Sequence, residues 1–96
     1  MATTGTATLD FGAFPGASDA SVAITGQSGI VSGSLVETWL LPQATADHSV
    51  DEHRVEPLVV LADSIVAGVG FTIFGRYDGL GDARAYGLWT VAWVWN

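Results

Sequence analysis

The side chains most able to do chemistry lie in one polar stretch: Asp47, His48, Asp51, Glu52 and His53. Histidines and carboxylates are common zinc ligands and common general acids and bases. The two histidines are five positions apart, which places them about 140° apart on a helix and on opposite faces of a strand. Only a loop wrapped around an ion could bring both to one metal. We therefore expect a solvated polar loop at the tip of the fold, with metal binding and catalysis as alternatives.

Three other stretches resemble functional motifs, but each lacks a residue or a geometry that the motif requires. Asp47-His48-Ser49 contains the residue types of a hydrolase triad, but sequence neighbours cannot form the required chain of hydrogen bonds. Gly68-x-Gly70 lacks the third glycine of a dinucleotide fingerprint, because Ile73 occupies that place. Asp78–Asp82 offers two carboxylates, fewer ligands than a calcium loop needs, and is typical of a hairpin turn. The sequence thus predicts no enzyme, no cofactor and no metal site.

The charge balance limits the partners of the protein. The 96 residues, which we expect to form one β-sandwich domain over 1–96, contain three arginines, no lysine and ten carboxylates, for a net charge of −7. Such a chain has no basic surface for a phosphate backbone, and an anionic membrane repels it. We predict neither a nucleic-acid nor a membrane partner. With no cysteine, disulfides and thiolate metal sites are excluded.

Charged residues are also scarce for a small domain. They make up 14% of the sequence, against about 25% in an ordinary soluble protein, whereas hydrophobic residues make up 49%. A small domain has much surface to cover, and interfaces between subunits contain few charges. The composition favours a protein whose surface is partly buried by neighbours.

Short stretches with apolar residues at every second position alternate with turn residues. This period is typical of half-buried strands, and the spacing of the turns predicts an all-β fold: a compact antiparallel β-sandwich or small jelly-roll-like barrel of about six to seven strands. Between the third and fourth strands, Pro42–Glu52 is predicted as a long loop, or as a loop with one helical turn capped by Asp47 or Ser49. Ser34–Leu41 could also form a helix, but its Val, Thr and Trp favour a strand. The predicted strands are Gly5–Phe11, Ala20–Thr25, Ser34–Leu41, His53–Leu61, Val69–Tyr77 and Ala85–Trp95.

One apolar segment, Pro57–Gly75, is long enough to cross a membrane. It contains Asp63 at its middle and three glycines, and both features argue against a helix that spans a membrane. We predict two strands joined by a turn, with the turn at Asp63-Ser64.

The last predicted strand is apolar on both faces. Trp89, Val91, Trp93 and Trp95 share one face, and Leu88, Ala92 and Val94 share the other. Such a strand is covered on both sides, so it is predicted to be central in its sheet or covered by another subunit. An alternative is a sugar-binding platform, since exposed tryptophans stack on sugar rings.

Two arginines flank the predicted turn at Asp78–Asp82 and could pair with carboxylates across the hairpin or across a subunit contact. Together with the tryptophans they form the predicted interface set: Trp39, Trp89, Trp93, Trp95, Arg76 and Arg84.

Several stretches resemble a group of small virion-associated proteins of tailed bacteriophages. The opening "GTATLDFGAFPGASDASVAITGQ" carries the strongest likeness, followed in the same order by "TADHSVDEHR", "VAGVGFTIFGR" and "WTVAWVWN". The resemblance covers most of the sequence but contains no catalytic motif. It implies a structural component of the virion.

The resemblance leaves the place in the particle open: a capsid decoration (cement) protein, a head or neck fibre, or a tail component. The expected partners are further copies of the same chain and other virion proteins such as the major capsid protein. The local symmetry of capsids makes a trimer the expected oligomer. The alternative function is a virion-displayed carbohydrate-binding module that attaches the particle to its host.

Overall fold

The structure is a computed structural model that describes residues 2–79 and 84–96. The described part contains six strands and one short helix, which confirms the predicted all-β class. In chain order these are β1 (Thr3–Asp10), β2 (Asp19–Ile24), β3 (Val36–Leu40), α1 (Val50–Val55), β4 (Leu58–Val66), β5 (Gly70–Tyr77) and β6 (Leu88–Trp95).

The strands form two antiparallel sheets of three strands each. Sheet I has the order β1-β6-β3, and sheet II has the order β2-β5-β4. Among the described residues, no hydrogen-bonded ladder joins the two sheets. The fold is therefore the predicted antiparallel sandwich, rather than a closed barrel.

The core lies between the inward faces of the two sheets. Leu9, Ile73, Trp89 and Val91 are at most 1% exposed, as the alternation of apolar residues along these strands requires. Burying each such side chain contributes about 1.5–3 kcal/mol to folding. The sandwich is thus held mainly by the side chains of β1, β5 and β6.

Strand β6 is the central strand of sheet I, as its two apolar faces predict. Trp95 is paired with Thr3 of β1 on one side and with Val36 of β3 on the other. Gly5 of β1 lies opposite Trp93, and a side chain added at this glycine would overlap the indole ring. Beyond the strand, Asn96 exchanges two backbone hydrogen bonds with Leu35, of 3.0 and 3.2 Å.

The predicted strand over His53–Leu61 is wrong in its first half, because the chain forms α1 before β4 begins at Leu58. Ser49 caps this helix: its side chain accepts from the backbone of Glu52, and the Glu52 side chain accepts from the backbone of Ser49. This reciprocal capping box ties down the first turn. The predicted alternative of a helical turn capped by Ser49 is confirmed.

The predicted turn at Asp63-Ser64 is also wrong, since both residues lie within β4. The pairing with β5 shifts between Asp63 and Val66, and Ser64 has a left-handed φ of 58°, as expected at a bulge. The chain reverses at 67–69 instead. Pro57–Gly75 therefore forms two strands joined by a turn, as predicted, whereas the predicted turn at Asp78–Asp82 lies partly outside the described residues.

Deleting Val94–Asn96 should prevent stable folding. The deletion removes Trp95, whose indole N–H donates to Gln27 at 2.8 Å, and it removes the backbone pair of Asn96 with Leu35. Loss of a packed tryptophan costs about 3–5 kcal/mol, which is much of the stability of a small domain. Urea unfolding followed by circular dichroism measures the change. Asn96→Ala, which keeps the backbone bonds, is the control; a truncated chain as stable as this control would contradict the placement.

Candidate functional site

The polar stretch predicted as a solvated loop is instead packed against β6. His48 is 4% exposed and His53 is 3% exposed, so the prediction of a solvated loop is wrong for both histidines. The physical reason is Trp89. The ring of His48 stacks on the indole at a centroid distance of 3.7 Å, and the ring of His53 meets it edge-on at 4.9 Å.

Both ring nitrogens of His48 face acceptors. Nδ1 lies 2.6 Å from a carboxylate oxygen of Glu52, and Nε2 lies 2.5 Å from the backbone oxygen of Tyr86. The hydrogen bonds from His48 and from the Ser49 backbone lower the pKa of Glu52, so this carboxylate is ionised and accepts. Only a doubly protonated ring can donate to both neighbours. The ring is therefore held between a carboxylate and a carbonyl, with either nitrogen placed to donate.

His53 has a different hydrogen-bonding role. Its Nδ1 donates to the backbone oxygen of Ser49 at 2.7 Å, and its Nε2 accepts the backbone N–H of Thr90 at 3.0 Å. One donor and one acceptor on the same ring define a single neutral tautomer. The side chain thus fastens the helix to β6.

Two further side chains of the same segment bind the backbone of β6 beside His53. The carboxylate of Asp47 accepts from the N–H of Leu88 at 2.9 Å, and the hydroxyl of Thr45 donates to the carbonyl of Leu88 at 2.8 Å. Gly87 makes room for this contact: its φ is +73°, and an added Cβ would lie 2.8 Å from the Asp47 carboxyl carbon. The polar residues are used to join this segment to sheet I.

These contacts decide what the histidines can do chemically. Every ring nitrogen of His48 and His53 faces a partner within the fold, so a metal or a substrate would have to displace one of these contacts. Over residues 2–79 and 84–96, the structure contains no group of three or more His, Cys, Asp or Glu side chains that could hold a metal ion.

The four tryptophans divide between the core and the surface. Trp89 and Trp93 are buried at 1% and 7% exposure, and Trp95 is half-buried. These three pack within their own chain. Trp39 is 44% exposed on the outer face of sheet I, beside Ala92 of β6. The predicted sugar platform therefore depends on Trp39 alone and stays a prediction.

The two arginines of the predicted interface set lie elsewhere. Arg76 is exposed on the outward side of β5 and bonds to Asp78 at 3.1 Å. Arg84 is exposed next to the undescribed residues 80–83. The structure thus does not bring the six predicted residues together: three tryptophans point into the sandwich, Trp39 lies on sheet I, and Arg76 lies on sheet II.

The outer face of sheet II contains a surface whose apolar residues are absent from the predicted set, which shares only Arg76 with it. Phe74 of β5 is 38% exposed and lies between Ser21 of β2 and Leu61 of β4, which is 50% exposed. These side chains line a shallow depression of about 380 Å³, bounded at one end by Arg76 and Asp19. Exposed apolar patches of this kind mark interaction sites. We call it the sheet II face: Asp19, Ser21, Val59, Leu61, Phe74 and Arg76.

One signal in the sequence could have indicated this surface. The alternation along β5 puts Phe74 on the side opposite Phe71 and Ile73, and the alternation along β4 puts Val59 and Leu61 on one side. Two neighbouring strands with large apolar residues on their outward faces predict an exposed patch once their pairing is known.

Comparison of the chain with protein-family models, with curated proteins and with solved structures finds no match. Within the described residues, no helix is both long enough and apolar enough to cross a membrane.

Glu52→Gln should reduce stability near neutral pH and have little effect in acid. The pKa of Glu52 is lower in the folded chain than its ordinary value of 4.5, so the unfolded chain binds this proton first as the pH falls. The ionised carboxylate therefore stabilises the fold above pH 4.5, and this contribution is lost as the pH falls through the lower folded-state pKa.

Urea unfolding at a series of pH values measures this difference between Glu52→Gln and the native chain. Glu37→Gln removes a carboxylate from the exposed side of β3 and is the matched control. A stability difference for Glu52→Gln that stayed constant from neutral pH into acid would contradict the pairing with His48.

Proposed function

We propose that this protein is a non-enzymatic structural component of a tailed-bacteriophage particle, a capsid decoration protein that self-associates and docks on the virion. The observation that carries the proposal is the sheet II face. Leu61 and Phe74 leave large apolar surfaces in water on the outside of a complete sandwich. Burying such a surface at many equivalent sites would stabilise both the protein and the shell on which it lies.

The charges on the sheet II face favour a second copy as its occupant. The chain has a net charge of −7, so most of its surface repels another copy. On the sheet II face, however, the guanidinium of Arg76 lies near two carboxylates, that of its cross-strand partner Asp19 and that of Asp78, to which it bonds, so it offsets part of the negative charge at that end. Two copies can approach there with less repulsion than elsewhere.

The histidine group supports a role without catalysis. His48 and His53 are the only histidines in the sequence. Their Nδ1 atoms bond within the segment around α1, and their Nε2 atoms bond to Tyr86 and to Thr90 of β6. An active site needs titratable groups that converge on an open position. Here the groups converge on one another and on Trp89.

The setting in a phage particle rests on the sequence resemblance described above. The composition agrees with it, since few charges and many small or apolar residues suit a subunit packed among neighbours. A neck or tail position remains an alternative place for the same kind of subunit.

Light scattering coupled to size-exclusion chromatography tests self-association. We expect the native chain to elute with a multiple of its 10.0 kDa mass, threefold for a trimer. Phe74→Asp should shift it to the monomer, because a carboxylate would be buried in the contact. Leu35→Asp, which adds the same charge at a residue 76% exposed outside the face, is the control. A native monomer at millimolar concentration, or unchanged assembly of Phe74→Asp, would refute this role of the face.

The assignment to the virion needs a separate measurement. Peptide mass spectrometry of purified particles of the encoding phage should detect the protein in many copies. A protein found in the lysate and in no particle would contradict the proposal.

A further inference from the structure

A second depression lies where β1 ends and β6 begins. It has a volume of about 460 Å³ and is lined by Asp10, Gly12, Ala13, Phe14, Asp47, Tyr86, Gly87 and Leu88. We call it the Phe14–Tyr86 depression. It is separate from the sheet II face, because its strand residues belong to β1 and β6 of sheet I.

Two aromatic rings form one corner of this depression. Phe14 is 78% exposed and Tyr86 is 38% exposed, and their rings meet edge-to-face at 5.4 Å and 83°. The ring of Tyr86 is supported by the buried ring of His48, on which it packs at a centroid distance of 4.8 Å. A large aromatic side chain such as Phe14, which stays exposed on a loop that packing holds in place, is typical of a contact residue.

Two carboxylates lie beside Leu88, one on each side of the strand. Asp10 is the register partner of Leu88 on β1, and Asp47 reaches it from the opposite edge. One oxygen of Asp10 accepts the N–H of Gly12 at 2.8 Å, and one oxygen of Asp47 accepts the N–H of Leu88 at 2.9 Å. These bonds fix both carboxylates, and within the described part of the chain no donor reaches the second oxygen of either.

From this arrangement we propose that the Phe14–Tyr86 depression binds a lysine or arginine side chain of a different protein. Carboxylates pair with the cationic head, and aromatic faces attract a cation and its aliphatic stem. The rings form a corner and not a flat platform, so they fit a narrow aliphatic chain better than a sugar ring.

The charges of the chain indicate that the occupant is not a second copy. The sequence has no lysine. Of its three arginines, Arg54 bonds to Asp51 within α1, Arg76 bonds to Asp78 next to the sheet II face, and Arg84 is exposed two residues before Tyr86. A second copy that offered one of these arginines would also bring its net charge of −7 against the carboxylates of the depression. A partner with exposed basic residues complements both the depression and the net charge of −7. The inference does not depend on the virion assignment.

The test uses the full chain labelled with ¹⁵N and two short peptides, Ac-Gly-Lys-Gly-NH₂ and Ac-Gly-Arg-Gly-NH₂. We expect saturable shifts of the Gly12, Gly87 and Leu88 amides with at least one of them, at millimolar concentration because exposed ion pairs are weak. The neutral Ac-Gly-Gln-Gly-NH₂ should cause no such shifts. Added salt at about 0.5 M should weaken the binding.

Three variants locate the binding. Asp10→Asn and Asp47→Asn keep an oxygen that can accept the Gly12 and Leu88 amides, so the fold is retained while each charge is lost. Each should weaken binding about threefold to fivefold, and Phe14→Ala should weaken it by a similar factor. Asp63→Asn, which removes a charge from β4 while keeping an acceptor for Ser64, is the control and should bind like the native chain.

Equal shifts with the neutral peptide, no saturable shift at all, or unchanged binding by the Asp10→Asn and Asp47→Asn variants would overturn the proposal. Because this readout is independent of oligomeric state and of particle composition, its failure leaves the proposed function to be judged by its own tests.

Discussion

The feature on which the rest of the structure depends is the free flank of β6 where it extends past β3. Strand β3 ends at Leu40, opposite Val91, whereas β6 begins three residues earlier at Leu88. Backbone groups on this flank must find partners, since an unpaired buried N–H or carbonyl costs as much as a lost hydrogen bond. The next backbone N–H along the chain, that of Leu41, still reaches the carbonyl of Thr90 at 2.9 Å.

Side chains replace the missing strand beyond that point. His53 accepts from Thr90, while Asp47 and Thr45 bind the two backbone groups of Leu88. This requirement explains why the capped helix exists, because its first turn delivers His53 to β6. It also explains why the most polar stretch of the sequence is partly buried. Asp47, Thr45 and His53 thus serve the fold, and the surfaces that we propose as contact sites are the sheet II face and the Phe14–Tyr86 depression.

Local pattern predicted the strands well and the polar segment poorly. The alternation around Leu9, Ile73 and Trp89 indicates strands directly, because period two follows from backbone geometry alone. The central position of β6 followed from its two apolar faces. By contrast, the contact between His53 and Thr90 joins residues 37 positions apart, and no local spacing predicts it. The bulge at Ser64 was missed for a related reason: turn-forming residues also occur inside bulged strands.

Of the residues that line the two candidate surfaces, the predicted interface set contains only Arg76. Exposure of Trp39 and burial of Trp89 cannot be separated from sequence, since both lie on strands with apolar neighbours, and only the pairing of the sheets distinguishes an outer face from a core. The aromatic corner at Phe14 depends on the bridge between Ala17 and Ala85, which brings the loop after β1 to the segment before β6. Such long-range contacts become visible only once the topology is known.

Amide hydrogen exchange at Leu88 and Thr90 tests the central claim most directly. If side chains complete the flank of β6, these two amides exchange as slowly as that of Val91, which lies within the sheet, and Asp47→Ala speeds exchange at Leu88 far more than at Val91. Fast exchange of Leu88 and Thr90 in the native chain, typical of an open strand edge, would contradict the account.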